Sequence, residues 1–128
     1  VLGELAADDW DRASLCGDWR VRDVVAHLIS MNRAGVVGFL QATVSIHWFN
    51  ATGVRRRAAK APAELLDELD SVMGMRGFGR VVPPSAMLVE WVVHSQDIHR
   101  ALGLRRQVPP CCRSRRLTTT ASLSVETC

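Results

Sequence analysis

The sequence lacks the features that would place it among membrane, zinc-finger or β-rich proteins. No apolar run approaches the roughly 18–20 residues that a membrane-spanning helix needs, and the first residues lack the basic-then-apolar layout of a secretory signal. The four cysteines form no CxxC pair and no zinc-finger spacing. No stretch alternates apolar and polar residues as a half-buried strand does. These absences predict an all-α protein of the cytoplasm, where thiols stay reduced.

The excess of positive over negative charge lies at one end of the chain. The net charge is +3, yet residues 1–104 hold 11 Lys and Arg against 12 Asp and Glu. Residues 105–128 hold five arginines and a single acid, Glu126. A nucleic-acid interface spread over the fold is therefore not predicted, although Arg55–Arg57 and the basic tail leave nucleic-acid binding as a third interpretation. The shift in composition predicts one domain over residues 1–104 and a poorly ordered, basic, cysteine-containing tail over residues 105–128.

Apolar residues recur at helical spacing along most of the first 104 residues. The predicted helices are residues 1–12, 21–43, 62–73 and the stretch from Pro83-Pro84 to a glycine stop at Gly103. Asp18 is a candidate cap for the second helix. Residues 44–60 are interpreted as a crossover that partly packs on the other helices. The pattern predicts a four-helix bundle.

Two potential metal ligands, Glu90 and His94, lie one turn apart on the apolar face of the last helix. His27 lies on the apolar stripe of the second helix, so it also points inward. A buried carboxylate or imidazole costs several kcal/mol unless a partner satisfies it. One divalent metal would satisfy all three, and three protein ligands plus a water are typical of catalytic zinc. His and Glu are suitable ligands for first-row metals, and zinc, nickel, iron and manganese are all chemically possible.

Simpler interpretations of these three residues remain open. The pattern E-x-x-x-H is common in helices, where it usually forms a salt-bridged or solvated pair. A single inward histidine such as His27 is more often a hydrogen-bonded core residue than a ligand. Helical bundles do, however, build metal sites between facing helices, which favours the metal interpretation.

Four further residues are candidates for secondary roles. Asp97 could orient the imidazole of His94 or could be a surface acid. His99 lies roughly 140° around the helix from His94 and is expected to face solvent. His47 is a weak candidate for an additional ligand, and Cys16 is either a nucleophile or, more simply, a structural thiol. The tryptophans are expected to be core or rim residues: Trp10, Trp19, Trp48 and Trp91.

Two motifs resemble those of a known family. The stretch Asp9–Leu28, with Leu-Cys-Gly-Asp-Trp before the helix that carries His27, resembles the N-terminal motif of the mycothiol-dependent maleylpyruvate isomerases. The stretch Glu90–Gly103 resembles the second motif of the same domain. This resemblance implies a DinB-like four-helix bundle with a metal triad on His27, Glu90 and His94. It also implies zinc and a low-molecular-weight thiol, mycothiol, bound near it.

The chain departs from the family at two places. Arg20 stands where the family usually has a capping Ser or Thr, so the cap is expected to weaken or to move to Asp18. Longer members continue into a C-terminal domain, which is expected to be missing or scrambled here after about Pro110.

The resemblance leads to a functional hypothesis and a rival. The first interpretation is a thiol-dependent isomerase or S-transferase in which the metal activates a thiol or water towards a small electrophile. No catalytic acid or base is assigned, and the expected partners are small molecules without nucleic acid or membrane. The alternative is a non-enzymatic, metal-stabilised helical module for binding or regulation, with a homodimer as its expected assembly.

Overall fold

The computed structural model describes residues 2–74 and 83–104, and in these ranges the chain is built from helices. Two short 3₁₀ helices, Leu2–Glu4 and Ala7–Asp11, precede five α-helices. The α-helices are α1 (Val21–Arg33), α2 (Gly35–Val44), α3 (Ile46–Ala58), α4 (Pro62–Val72) and α5 (Pro84–Ala101). No strand occurs in the described ranges, although an isolated antiparallel β-bridge joins Ala13 and Arg20. The predicted all-α class is confirmed.

Helix α1 is central to the bundle, because it packs against α3, α4 and α5. Four apolar side chains of α1 are fully buried: Val21, Val24, Val25 and Ile29. They form one core with Trp10 of the second 3₁₀ helix and with apolar residues of α4 and α5. Full burial of a side chain of this size contributes roughly 1.5–3 kcal/mol. This core holds α1 and α5 side by side, which positions the residues they carry towards each other.

The start of α1 is capped in a way that the sequence analysis did not predict. Arg20 is the N-cap residue and supplies no side-chain cap. Instead, its backbone N–H donates to the carboxylate of Asp23, 2.9 Å away. The Arg20 guanidinium pairs with that carboxylate and with Asp11, each at 2.9 Å. The expected shift of the cap to Asp18 was wrong, because an acid three positions into the helix reaches back to the free N–H group.

Three predicted boundaries differ from the structure. The predicted helix 21–43 is two helices, since Gly35 adopts a left-handed conformation (φ 54°) that breaks it after α1. In place of the predicted first helix, the described residues form two 3₁₀ helices, Leu2–Glu4 and Ala7–Asp11, consistent with the aspartates of this stretch, which favour caps and turns. The predicted crossover contains a regular helix, α3, whose first turn is capped by the Ser45 hydroxyl accepting from the Trp48 N–H at 3.2 Å.

The other boundaries agree with the prediction. Helix α4 begins at Pro62, and α5 ends two residues before Gly103, which is left-handed (φ 69°). Among the described helices, none is long and apolar enough to cross a membrane. The predicted tail at residues 105–128 lies outside the described residues.

Candidate metal centre

The three predicted ligands lie together where α1 faces α5. The rings of His27 and His94 are both buried, with centroids 5.0 Å apart in an edge-on arrangement. His94 Nε2 lies 3.3 Å from a carboxylate oxygen of Glu90. One donor atom from each of the three residues lies within 4.8 Å of the other two. In a tetrahedral zinc site with metal–ligand distances of about 2.0–2.1 Å, two ligand atoms lie about 3.4 Å apart, so side-chain movements of about 1 Å would bring these donors onto one ion. His27, Glu90 and His94 are called the triad below.

Asp97 lies on the other side of His94. Its carboxylate is 3.2 Å from His94 Nδ1, so it accepts a hydrogen bond when that nitrogen is protonated. The lone pair of a neutral His94 is then on Nε2, which faces Glu90. A lone pair and a carboxylate at 3.3 Å repel each other unless a proton or a metal cation lies between them. The geometry therefore fits either an imidazolium paired with two acids or an imidazole bound to a metal.

His27 is held as a neutral imidazole. Burial, followed by the positive charge of His94, lowers its pKa to about 4, while the neighbouring Asn50 amide acts in the opposite direction. Its Nδ1 is buried and has no hydrogen-bond partner among the described residues. A buried polar atom without a partner costs about 1–3 kcal/mol. A neutral imidazole has a free lone pair, which is the form in which histidine binds a metal.

A pocket of about 370 Å³ opens at the triad. Trp19 forms part of its wall, with its ring centroid 5.1 Å from that of His27. Glu90 lies towards the mouth, because 42% of its side chain is exposed. Trp19 and Asn50 also line a neighbouring cleft of about 580 Å³ that contains Arg55. The pocket is lined by Cys16, Trp19, His27, Met31, Ile46, Asn50, Glu90 and His94.

Cys16 is the residue whose position the sequence did not reveal. Its sulfur, a nitrogen of His94 and an oxygen of Asp97 lie within 4.8 Å of one another. Burial, and then the charges of Asp97 and Glu90, raise the pKa of the Cys16 thiol. The thiol is therefore protonated near neutral pH in the metal-free protein, which makes it a poor nucleophile. The sequence offered no signal, since the partners of Cys16 lie about 80 positions later in the chain.

The remaining candidates lie away from this cluster. His47 is exposed on α3 and lines the neighbouring cleft. His99 is half-buried, with Nδ1 2.6 Å from the carbonyl oxygen of Ser95. Neither belongs to a group of three potential ligands in the described part of the chain. Among the other tryptophans, Trp10 is in the core, Trp91 is half-buried against the core and Trp48 is 55% exposed.

Comparison with known proteins places the chain in a family. The model of the mycothiol maleylpyruvate isomerase N-terminal domain matches residues 1–74, more than half of the sequence. The chain belongs to this family. The matched residues include Cys16 and His27 but end before α5, so Glu90 and His94 lie beyond the match. No curated protein and no solved structure matches the chain.

Proposed function

We propose that this member of the mycothiol maleylpyruvate isomerase family is a thiol-dependent isomerase or S-transferase whose triad binds a divalent metal, with zinc as the expected ion. The observation that carries the proposal is the convergence of two buried histidines and Glu90 in one pocket. Family membership supports a link to mycothiol.

The protein residues have distinct tasks in this proposal. A bound metal supplies a Lewis acid that lowers the pKa of a thiol or water. His27 stays neutral near pH 7 because its pKa is about 4. It therefore adds no positive charge that would repel a metal cation. Asp97 holds His94 in the tautomer that presents Nε2 to the pocket. Trp19 and Met31 contribute apolar side chains to the pocket wall. No side chain is assigned as a general acid or base.

The pocket has the dimensions of a small-molecule site. A volume of about 370 Å³ lies within the common range for ligand pockets, roughly 300–1,000 Å³. The proposed partners are a small electrophile and a low-molecular-weight thiol such as mycothiol, with the neighbouring cleft providing room for the larger of the two. A reduced thiol partner requires a reducing compartment, so the cytoplasm is the proposed location.

Metal analysis of the purified protein tests the central claim. We expect about one zinc ion per chain in the wild type, as for a three-residue site, and loss of most of it in His94→Ala. His99→Ala is the matched control, since His99 lies on the same helix outside the triad, and it should retain the metal. Equal metal content in the wild type and His94→Ala would reject the site. Mycothiol-dependent turnover of small electrophiles by the metal-loaded protein then separates an enzyme from a binding module.

A second candidate function is a metal-stabilised binding module. An apolar groove of about 470 Å³ lies between α2 and α3, and its large apolar side chains are exposed. An exposed apolar patch of this kind is typical of an interaction site. Metal binding without turnover, together with a dimer in sedimentation that dissociates in Trp48→Ser, would favour this function. The groove is lined by Val37, Leu40, Gln41, Val44, Ser45 and Trp48.

Nucleic-acid binding has less support from the geometry. Arg55 lines the cleft beside Trp19, whereas Arg56 and Arg57 line a separate pocket. Arg57 is also engaged by Glu68 at 3.1 Å. The run of three arginines therefore does not present one basic face of the kind that phosphate backbones require. Binding to DNA that weakens steeply with added salt would revive this interpretation.

A further inference from the structure

We propose that Cys16, His94 and Asp97 form a second cation site, called the thiol site here, which takes thiophilic divalent ions such as Cd²⁺, Co²⁺ or Zn²⁺. The three donor atoms lie within 4.8 Å of one another, the same limit that the triad meets. A thiolate, an imidazole and a carboxylate form a donor set that favours these ions over Mg²⁺ or Ca²⁺. The proposal goes beyond the proposed function and does not require the triad to be filled.

The backbone around Cys16 holds its side chain in a defined position. Gly17 adopts a left-handed conformation (φ 57°), which turns the chain directly after Cys16. The Cys16 N–H donates to the Ser14 hydroxyl at 3.0 Å, and the Cys16 carbonyl accepts from the Trp19 N–H at 3.1 Å. The Ser14 hydroxyl in turn donates to the Trp19 carbonyl at 2.7 Å. Cys16 is therefore presented to α5 by a closed, hydrogen-bonded turn.

The surroundings of the thiol site favour a cation. Asp97 and Glu90 both lie close enough to act on the Cys16 sulfur, and His94 is itself buried. The unpartnered Nδ1 of buried His27 belongs to the same pocket. When Cys16 coordinates a metal, a sulfur–metal bond replaces the S–H bond and the thiol proton passes to solvent.

The thiol site and the triad compete for His94. A neutral imidazole has one lone pair, since its other nitrogen carries a proton. His94 faces Glu90 with Nε2 and Asp97 with Nδ1, so a neutral His94 can offer its lone pair to an ion beside Glu90 or to an ion beside Asp97, but not to both. A thiophilic ion on Cys16 therefore removes His94 from the triad. The thiol site would act as an inhibitory site of the proposed enzyme.

Cobalt(II) binding tests the proposal because a thiolate ligand gives a strong charge-transfer band in the near ultraviolet, separate from the weak visible bands of any cobalt site. The metal-free full chain is titrated with Co²⁺ as the wild type, Cys16→Ser and His27→Gln. Cys111, Cys112 and Cys128 are present in all three proteins, so any contribution they make is common to them. We expect the band in the wild type, its loss in Cys16→Ser with visible absorption retained, and an equal or stronger band in His27→Gln, where the triad is broken.

Other outcomes overturn the proposal in distinguishable ways. A band of undiminished intensity in Cys16→Ser arises from the other cysteines and rejects the thiol site. Visible absorption in the wild type, with no charge-transfer band in either the wild type or His27→Gln, leaves the triad intact and rejects only the thiol site. Loss of the band in His27→Gln means that Cys16 joins the triad ion, so that no separate site exists. Absence of all cobalt absorption rejects both the thiol site and the triad.

Discussion

At the scale of single residues, burial of His27 has consequences for the metal-free protein. Only 6% of the residue is exposed, and its pKa falls from 6.5 to about 4. The unfolded chain therefore binds a proton between these two pH values that the folded protein does not bind. The free energy of unfolding is therefore highest above pH 6.5, where His27 is neutral in both states. It decreases as the pH falls towards 4, because the unfolded state takes up the proton first.

The prediction for His27 is a specific acid sensitivity. At about 1.4 kcal/mol per pKa unit, burial of this residue lowers the free energy of unfolding of the metal-free wild type by up to roughly 3 kcal/mol between pH 6.5 and 4. His27→Leu cannot take up the proton, so its stability should fall less over the same range. Urea denaturation of both proteins in the presence of a chelator measures the difference. Parallel pH curves for the two proteins would contradict a buried, neutral His27.

At the scale of elements, the contact between α1 and α3 depends on a glycine. A Cβ atom at Gly53 would lie 2.8 Å from the Ser30 hydroxyl oxygen and 3.1 Å from Ser30 Cβ. That hydroxyl donates to the Ala26 carbonyl at 2.7 Å and accepts from Arg57 at 3.0 Å. The two helices therefore approach closely at Gly53, and the Ser30 hydroxyl has little freedom to move aside.

We expect Gly53→Ala to destabilise the protein by about 1–2 kcal/mol. Alanine gains about 1 kcal/mol of helix propensity over glycine, but overpacking against Ser30 typically costs roughly 1–3 kcal/mol and here also disturbs the Arg57 hydrogen bond. Combination with Ser30→Ala removes the closest atom, so the double variant should be more stable than the sum of the single effects implies. Thermal and urea unfolding of the wild type, the two single variants and the double variant measures the coupling energy between positions 53 and 30. A stabilising Gly53→Ala would contradict the close approach.

At the scale of the whole molecule, one acid joins three helices. Glu68 of α4 accepts from Arg57 of α3 at 3.1 Å and from Lys60 at 2.7 Å, and it lies 3.4 Å from Arg33 of α1. Burial would raise the pKa of Glu68, but the hydrogen bonds from Lys60 and Arg57 and their positive charges outweigh it and lower the pKa. Glu68 therefore stabilises the bundle in its ionised form.

Glu68→Gln should reduce the free energy of unfolding at pH 7 by about 1–3 kcal/mol, because it leaves partly buried cations without their counter-charge. Since the folded pKa lies below the ordinary value of 4.5, the contribution is present above that pH and is lost as the pH falls through the lowered pKa. The difference in the free energy of unfolding between wild type and Glu68→Gln should therefore become smaller in acid. Asp67→Asn, an exposed neighbour on the same helix, should show no comparable loss. A difference in the free energy of unfolding that does not change with pH would contradict the ionic contribution of Glu68.

Much of the candidate site could be predicted from the sequence. The i, i+4 spacing of Glu90 and His94 and the stripe around His27 indicated which helix faces these residues share, because helical periodicity is a local property of the chain. The structure brings the three residues together. Their role as metal ligands stays a prediction for the metal analysis.

Taken alone, the sequence determined the helical class, the extents of α4 and α5, and the inward direction of two histidines, since spacing, proline and glycine act within a few residues. Only the tertiary structure decided that residues 46–58 form α3, whose buried face carries few large apolar residues and depends on Gly53 meeting Ser30. It also decided that Cys16 lies beside His94 and Asp97. Such contacts join residues far apart in the chain and depend on how the helices pack, so no local pattern records them.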